Sequence, residues 1–179
     1  MKQNTMDLQI QTDRLILRLV QDGDAAGFFE LDSNPEVLRY LPGQPMTDME
    51  EAYRKVRYIQ VQYRDHGIGR WTMTDRLTGA FMGWCGIKYV TDAATNGRYN
   101  YYDLGYRLLP AYWRKGYAFE AAAACVDYAW QTLKLEGLHA TVMAGNAGSA
   151  RIAEKLGMTL TATFMEDGCG WLWYTGLHP

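Results

Sequence analysis

The segment Trp113-Arg114-Lys115-Gly116-Tyr117-Ala118-Phe119-Glu120 decides the fold, because it joins a predicted strand to a predicted helix through a short basic turn. Before it, the run 101–109 reads as a strand and stops at Pro110, which has no amide hydrogen to give to a sheet. After it, small and apolar residues recur at helical spacing: Ala118, Ala121, Ala122, Cys125, Val126, Ala129 and Leu133. The turn is therefore expected at a helix N-terminus.

Helix N-termini attract anions, because their first amide hydrogens lack partners inside the helix and the helix dipole is positive there. Gly116 lets a ligand approach the backbone, and Arg114 and Lys115 add two positive charges that suit a pyrophosphate. We predict a phosphate-bearing cofactor; a turn that binds nothing is the alternative. The glycine and hydroxyl pattern of a P-loop and the three-glycine dinucleotide fingerprint are both missing. Coenzyme A remains as the cofactor class.

Length and composition predict one domain over residues 1–179, with a core of ordinary size. The net charge of −2 and the dispersed basic residues argue against nucleic-acid binding. The three cysteines, Cys85, Cys125 and Cys169, are far apart in sequence and predict reduced thiols in a cytoplasm, with no zinc or other metal. No segment has the length and apolar character of a membrane span or a signal peptide, so we expect no membrane association.

The hydrophobic pattern predicts an α/β fold with a central mixed, mostly antiparallel twisted sheet of about six to seven strands and about four flanking helices. The predicted strands cover 14–19, 70–75, 81–90, 99–109, 138–144, 159–165 and 171–175. The predicted helices run from Asp22 to Asp32, from Thr47 to Arg64, along the alanine-rich segment, and from Ser149 to Leu156. Thr47 and Glu50 have the spacing of a capping box. One parallel crossover is expected, around the alanine-rich helix.

The chain resembles the GNAT superfamily of acetyl-CoA-dependent N-acetyltransferases, and within it the RimJ/RimL-type branch. Three motifs in the same order carry the resemblance: the opening TDRLILR at 12–18, the turn YWRKGYAFEA at 112–121, and Asn146 and Ser149 leading a helix that ends in Leu156-Gly157-Met158. The resemblance covers about residues 12–175. It implies a GNAT-like single domain, acetyl-CoA as the cosubstrate, and acetyl transfer to an amine.

The resemblance also implies the cofactor residues. The coenzyme A pyrophosphate is expected on the backbone amides of the turn, the pantetheine arm along the preceding strand, and a further contact at Asn146. The residues are Arg114, Lys115, Gly116, Tyr117 and Ala118 for the turn, and Tyr106, Arg107 and Leu108 for the strand. Trp113 stands where many family members have Gln or Arg. One side-chain contact to the phosphates is therefore missing, and the expected contacts are made by the backbone. Asn146 and Gly148 forming only a turn is the alternative.

Two residues are candidates for catalysis. Ala153 stands where many GNAT enzymes carry a tyrosine acid, so Ser149, which also matches a good N-cap, is the candidate for cofactor-sulfur binding and proton return. Strand alternation places Asp103 opposite Leu104, and it matches an acidic residue of the branch, so Asp103 is the candidate base. An exposed strand carboxylate is the alternative. Glu120, in the first helical turn, is assigned a structural role.

The predicted reaction is direct attack of a primary amine on the thioester of acetyl-CoA. The acceptor is a small-molecule amine or a protein N-terminus, and the chain is expected to act as a monomer or homodimer. A non-catalytic acyl-CoA-binding or regulatory module of the same fold is the alternative, because the tyrosine acid is missing at Ala153.

Overall fold

The computed structural model describes residues 9–178, which form one eight-stranded sheet and four α-helices. The strands are β1 (Gln9–Gln11), β2 (Leu15–Leu19), β3 (Arg70–Asp75), β4 (Phe81–Val90), β5 (Tyr101–Leu108), β6 (Gly137–Met143), β7 (Thr159–Glu166) and β8 (Cys169–Leu177). The helices are α1 (Ala25–Asp32), α2 (Met49–His66), α3 (Tyr117–Gln131) and α4 (Ala147–Lys155).

The sheet order is β1-β2-β3-β4-β5-β6-β8-β7, and every neighbouring pair is antiparallel except β5 and β6. Helix α3 makes the crossover between these two parallel strands. The predicted mixed, mostly antiparallel sheet is thus confirmed, with one strand more than expected. The additional strand β1 has three residues, which is too short to show alternation in the sequence.

The two faces of the sheet carry separate cores, because side chains alternate along each strand. On one face α3 and α4 pack on β2 to β6, where Cys125 and Ala153 meet Cys85 and Leu104. On the other face α1 and α2 pack over the first half of the sheet, where Phe28 and other apolar residues of these helices meet the aromatic side chains of β4. Polar groups of β5 on this second face are therefore separated from α3 by the sheet.

Strands β5 and β6 diverge toward their carboxyl ends. Among the described residues their parallel register consists of the single pair Asp103 and His139. Beyond that pair the strands run on to Leu108 and Met143 without further ladder pairing, and α3 and α4 begin shortly after these two ends. Ligands of open α/β sheets bind outside the carboxyl ends of parallel strands. The opening between β5 and β6 is the place in this fold that matches that rule.

The predicted capping box of α2 is wrong by one residue. Asp48 is the N-cap, and its side chain accepts a hydrogen bond from the Glu51 amide at 3.0 Å. Thr47 lies outside the helix, where its amide and hydroxyl donate to the Glu51 carboxylate. Both registers offer a hydroxyl or carboxylate followed by a glutamate, so the sequence pattern alone does not choose between them.

Asp24 fixes the start of α1 to the sheet. Its buried carboxylate accepts two hydrogen bonds from Arg18, at 2.8 and 2.7 Å, and one from the Thr72 hydroxyl at 2.7 Å. Asp22, where the predicted helix begins, lies instead in a 3-10 turn, Asp22–Asp24, whose N-cap is Gln21. Although burial opposes it, the hydrogen bonds from Arg18 and the Gln21 amide lower the pKa of Asp24. Asp24 is therefore held as a carboxylate.

Candidate active site

The basic turn before α3 has the backbone geometry of an anion site. Gly116 is the N-cap of α3 with φ +84°, and Arg114 also has a positive φ of 59°. No side chain caps this end of the helix, so the first amide hydrogens of α3 are not used by a capping group. Left-handed residues beside a helix N-terminus form a concave set of amides that suits phosphate oxygens. The turn thus lies where the sequence predicted it.

The opening motif of the chain braces this turn. Arg14 pairs with Glu120 at 2.6 Å and donates to the Lys115 carbonyl at 3.0 Å, and the Thr12 hydroxyl donates to Glu120 at 2.5 Å. The guanidinium of Arg14 also lies 4.3 Å from the centre of the Tyr117 ring. Burial acts against the charge of Glu120, but the bonds from Thr12 and Arg14 lower its pKa. Glu120 therefore holds the N-terminal segment on the turn.

Two side chains of the turn bond to its own backbone. The Lys115 ammonium donates to the Ala111 carbonyl at 2.8 Å, and the Trp113 indole donates to the Leu108 carbonyl at 2.7 Å. Trp113 thus fastens the turn to the end of β5. Arg114 is exposed. The groups of the turn that remain available to an anion are the first backbone amides of α3 and the guanidinium of Arg114.

Asn146, Ser149 and Tyr106 lie together at the start of α4. Asn146 is the N-cap of α4, and its side-chain carbonyl accepts the Ser149 amide hydrogen at 3.2 Å. The alternative role of Ser149 as N-cap is wrong, because Ser149 lies inside the first turn. Burial raises the pKa of Tyr106 to about 12, and the nearby Ser149 side chain opposes that shift. The Tyr106 hydroxyl is buried and has no hydrogen-bond partner at normal geometry among the described residues.

Asp103 lies on the opposite face of β5 from Leu104, as alternation predicted. Its carboxylate forms an ion pair with Arg70, whose guanidinium also donates to the Gly86 carbonyl at 2.5 Å and the Asp103 carbonyl at 2.7 Å. A side chain at Gly105 would collide with this guanidinium, since its Cβ would lie 2.9 Å from the Arg70 Nη2 atom. Asp103 is therefore half-buried and paired, and the alternative of an exposed strand carboxylate is wrong.

A charged cluster beside Asp103 has no counterpart in the sequence-based predictions. Asp32, at the end of α1, accepts hydrogen bonds from Lys55 of α2 and Arg107 of β5. Arg107 was expected only as part of the strand along the pantetheine arm. The three residues come from three distant segments and meet through tertiary packing alone, so no local pattern connects them.

Two of the three thiols meet in the core between β4 and α3. The sulfurs of Cys85 and Cys125 lie 3.5 Å apart, and all three cysteines are free. Burial raises the pKa of the Cys125 thiol well above its usual range. These two cysteines serve as apolar packing residues.

Comparison with known proteins decides the family. The GNAT acetyltransferase domain model matches residues 14–159. The uncharacterized protein YkkB of Bacillus subtilis (strain 168) is 35% identical over 159 residues, covering 88% of this chain and 89% of that protein. The chain belongs to the GNAT acetyltransferase family. It is an acetyltransferase.

Solved GNAT structures have the same fold. A GNAT-family acetyltransferase from Bordetella pertussis superimposes with a TM-score of 0.81 at 20% identity, covering 94% of this chain and 98% of that one. RimL, described as a ribosomal L7/L12 α-N-protein acetyltransferase in complex with coenzyme A, superimposes with a TM-score of 0.79 at 15% identity, covering 96% of this chain and 98% of that one. At these identities the likeness establishes the single-domain GNAT fold.

The turn before α3 fits the coenzyme A of this family. The amides at the start of α3 are not capped by a side chain, and Gly116 has the left-handed conformation that brings the backbone toward a ligand. Within residues 9–178 no group of His, Cys, Asp or Glu side chains is arranged to hold a metal ion. In the same part of the chain no helix is long and apolar enough to cross a lipid bilayer.

Proposed function

We propose that this GNAT acetyltransferase transfers the acetyl group of acetyl-CoA to a primary amine by direct attack, with both substrates bound together. The observation that carries the proposal is the divergence of β5 and β6, because the N-termini of α3 and α4 lie at its wide end. The coenzyme A complex of the similarly folded RimL supports the choice of cosubstrate.

The residues expected to hold acetyl-CoA form three groups. The pyrophosphate binds the backbone amides of the turn, the pantetheine arm runs along the end of β5, and the Asn146 side-chain amide donates to the arm while its carbonyl caps α4. The turn residues are Arg114, Lys115, Gly116, Tyr117 and Ala118, and the strand residues are Tyr106, Arg107 and Leu108. When bound, acetyl-CoA supplies a thioester whose C–S bond breaks as the C–N bond to the acceptor forms.

Two side chains act in the proton transfer and charge stabilisation of this reaction. The acceptor amine must lose a proton before or during attack, and Asp103 is the base that takes it. The Tyr106 hydroxyl stays protonated at neutral pH, because burial raises its pKa to about 12. It donates a hydrogen bond to the negative charge that develops on the leaving sulfur, with Ser149 beside it. Tyr106 thereby takes over a role that Ala153 cannot fill.

A non-catalytic acyl-CoA-binding module is the second candidate. The Ala153 side chain is 4% exposed and packs in the core under α4, so this position contributes no acid. Such a module would bind acetyl-CoA and release no thiol with any amine.

The test is thiol release from acetyl-CoA with a panel of N-terminal peptides, polyamines, amino sugars and amino acids. The proposal expects amine-dependent release and an N-acetylated product identified by mass spectrometry. Acetyl-CoA binding with no turnover on any amine favours the module. Failure to bind acetyl-CoA contradicts both functions.

We also infer a cytoplasmic location, because all three cysteines are free thiols.

A further inference from the structure

A cluster of charged residues surrounds Trp84 on the face of the sheet that carries α1 and α2. Three cations lie near the indole ring, at 5.7 Å for Lys55, 5.2 Å for Arg70 and 5.5 Å for Arg107. Two carboxylates pair with them: Asp32 with Lys55 and Arg107, and Asp103 with Arg70. The cluster thus contains one more positive charge than negative charge, although the whole chain has a net charge of −2.

The excess positive charge affects the pKa of Lys55. Burial, together with the positive charge of Arg107, lowers the pKa of Lys55 to about 8, even though Asp32 acts in the opposite direction. Lys55 remains protonated at neutral pH. A second anion beside it is therefore favoured electrostatically.

Two hydrogen-bond donors of the same cluster lack acceptors. The Nε atom of Arg107 and the Nε1 atom of Trp84 are both buried and have no hydrogen-bond partner among the described residues. The Asp32 carboxylate accepts from Arg107 Nη1 and Lys55 Nζ but from neither of these two donors. Buried donors are ordinarily paired. The unpaired donors and the excess positive charge thus lie in the same cluster.

This cluster adjoins the proposed reaction centre. Arg107 and Asp103, the proposed base, lie on the same face of β5, whereas the side chain of Tyr106 points to the opposite face. The side chains of Lys55 and Arg107 keep 23% and 17% of their surface exposed, so a ligand on the sheet surface can reach them. A small acceptor with its amine at the thioester can therefore extend its other end toward the cluster.

We propose that the acceptor is a small amine that carries a carboxylate, a free amino acid or a short peptide, and that Lys55, Arg107 and the Trp84 indole bind this carboxylate. The inference rests on the proposed acetyl transfer and names its substrate class. A polyamine or amino sugar would bring further positive charge or no charge to the cluster and would leave both buried donors unpaired. A carboxylate accepts from both donors and neutralises the excess charge.

The experiment compares each acceptor with its carboxamide. The panel contains the standard amino acids, diglycine and triglycine, each beside its matching amide. The kcat/KM of each acceptor is measured by thiol release. We expect the best carboxylate acceptor to exceed its amide by about thirtyfold or more, as for a charge-assisted contact. In Lys55→Met this ratio is expected to fall to about threefold or less, and Lys55→Arg, which keeps the charge, is expected to retain most of it.

Arg57→Met is the matched control, because it removes a cation from the same helix that pairs with Glu50 at the exposed surface. It is expected to keep the wild-type ratio. Trp84→Phe, which keeps an aromatic ring but removes the indole donor, is expected to lower the ratio severalfold. Equal turnover of carboxylates and amides overturns the inference while leaving acetyl transfer intact.

Binding is measured separately by calorimetry, with N-acetylglycine and N-acetylglycinamide as probes in the presence of coenzyme A. Tighter binding of the carboxylate, lost in Lys55→Met, supports the site. Equal binding of the two probes contradicts it. If no amine in the panel is acetylated, the proposed function fails, and the calorimetric comparison alone decides whether the cluster binds a carboxylate.

Discussion

Arg14 and Glu120 form an ion pair at 2.6 Å that ties the segment before β2 to the first turn of α3. The same guanidinium donates to the Lys115 carbonyl, so Arg14 also holds the backbone of the turn before α3. Sequence reasoning assigned Glu120 a structural role from its favourable place at a helix N-terminus. The structure gives that role a partner 106 residues away in the chain.

Glu120→Gln is expected to weaken acetyl-CoA binding severalfold and to lower the free energy of unfolding by about 1–2 kcal/mol, because charged hydrogen bonds from Arg14 are lost. Calorimetry with acetyl-CoA and urea unfolding check the two effects. Glu50→Gln, which breaks an exposed ion pair with Arg57, is the control and is expected to change neither. Unchanged cofactor affinity in Glu120→Gln would show that the turn keeps its shape without the pair.

Gly116→Val is expected to raise the Kd for acetyl-CoA by about tenfold or more, whereas Lys115→Ala raises it by about threefold or less. A β-branched residue is strained at φ +84°, and its Cβ would lie 3.3 Å from Arg14. The Lys115 ammonium, in contrast, donates its hydrogen bond to the Ala111 carbonyl. Gly157→Val is the control for strain, because Gly157 has φ +77° after α4 with open space around it. Equal effects at positions 115 and 116 would mean that charge dominates the site.

The position of the basic turn before α3 could be predicted from the sequence because it depends on local order. A strand, a glycine turn and a helix N-terminus follow one another within a short segment, and each leaves a periodic or compositional signal. The face of Asp103 was predicted for the same reason, since alternation along one strand fixes it. Neither result required knowledge of which strands are neighbours.

The charged cluster around Trp84 could not be predicted, because it depends on register and packing between distant elements. Arg70 reaches Asp103 only because β3, β4 and β5 are aligned so that the guanidinium lies over Gly105. Lys55 meets Arg107 only through the packing of α2 on the sheet. A surface lysine in an amphipathic helix has the same sequence pattern as one that is drawn into a charged cluster.

Asp103→Asn is expected to lower kcat about a hundredfold while the Kd for acetyl-CoA stays within about twofold, because the amide cannot accept the amine proton. Arg70 remains held by two backbone carbonyls, so its position is preserved. Stopped assays with a saturating amine check kcat. Asp92→Asn, which alters a carboxylate paired with Lys88 beside the same sheet, is the control. Unchanged turnover would remove Asp103 from the mechanism.

Tyr106→Phe is expected to lower kcat by about tenfold to a hundredfold with little change in acetyl-CoA affinity, since a hydrogen-bond donor to the leaving sulfur is lost while the ring is kept. Tyr102→Phe, on the same face of the same strand, is the control. Ser149→Ala distinguishes the contribution of the Ser149 hydroxyl from that of the Tyr106 hydroxyl. If Ser149→Ala causes the full loss and Tyr106→Phe none, the serine alone serves the sulfur.

Asp24→Asn is expected to lower the free energy of unfolding by about 2 kcal/mol at pH 7, because the buried carboxylate binds Arg18 and Thr72. The pKa of Asp24 is lowered in the folded state, so its contribution is present above the ordinary carboxyl pKa of about 4 and disappears as the pH falls through the lower folded value. The difference between wild type and variant, measured by urea unfolding from pH 7 to pH 2.5, is therefore expected to shrink with acid. Asp65→Asn, at an exposed pair with Arg64, is the control. A difference that stays constant down to pH 2.5 would show that Asp24 acts through its shape and not through its charge.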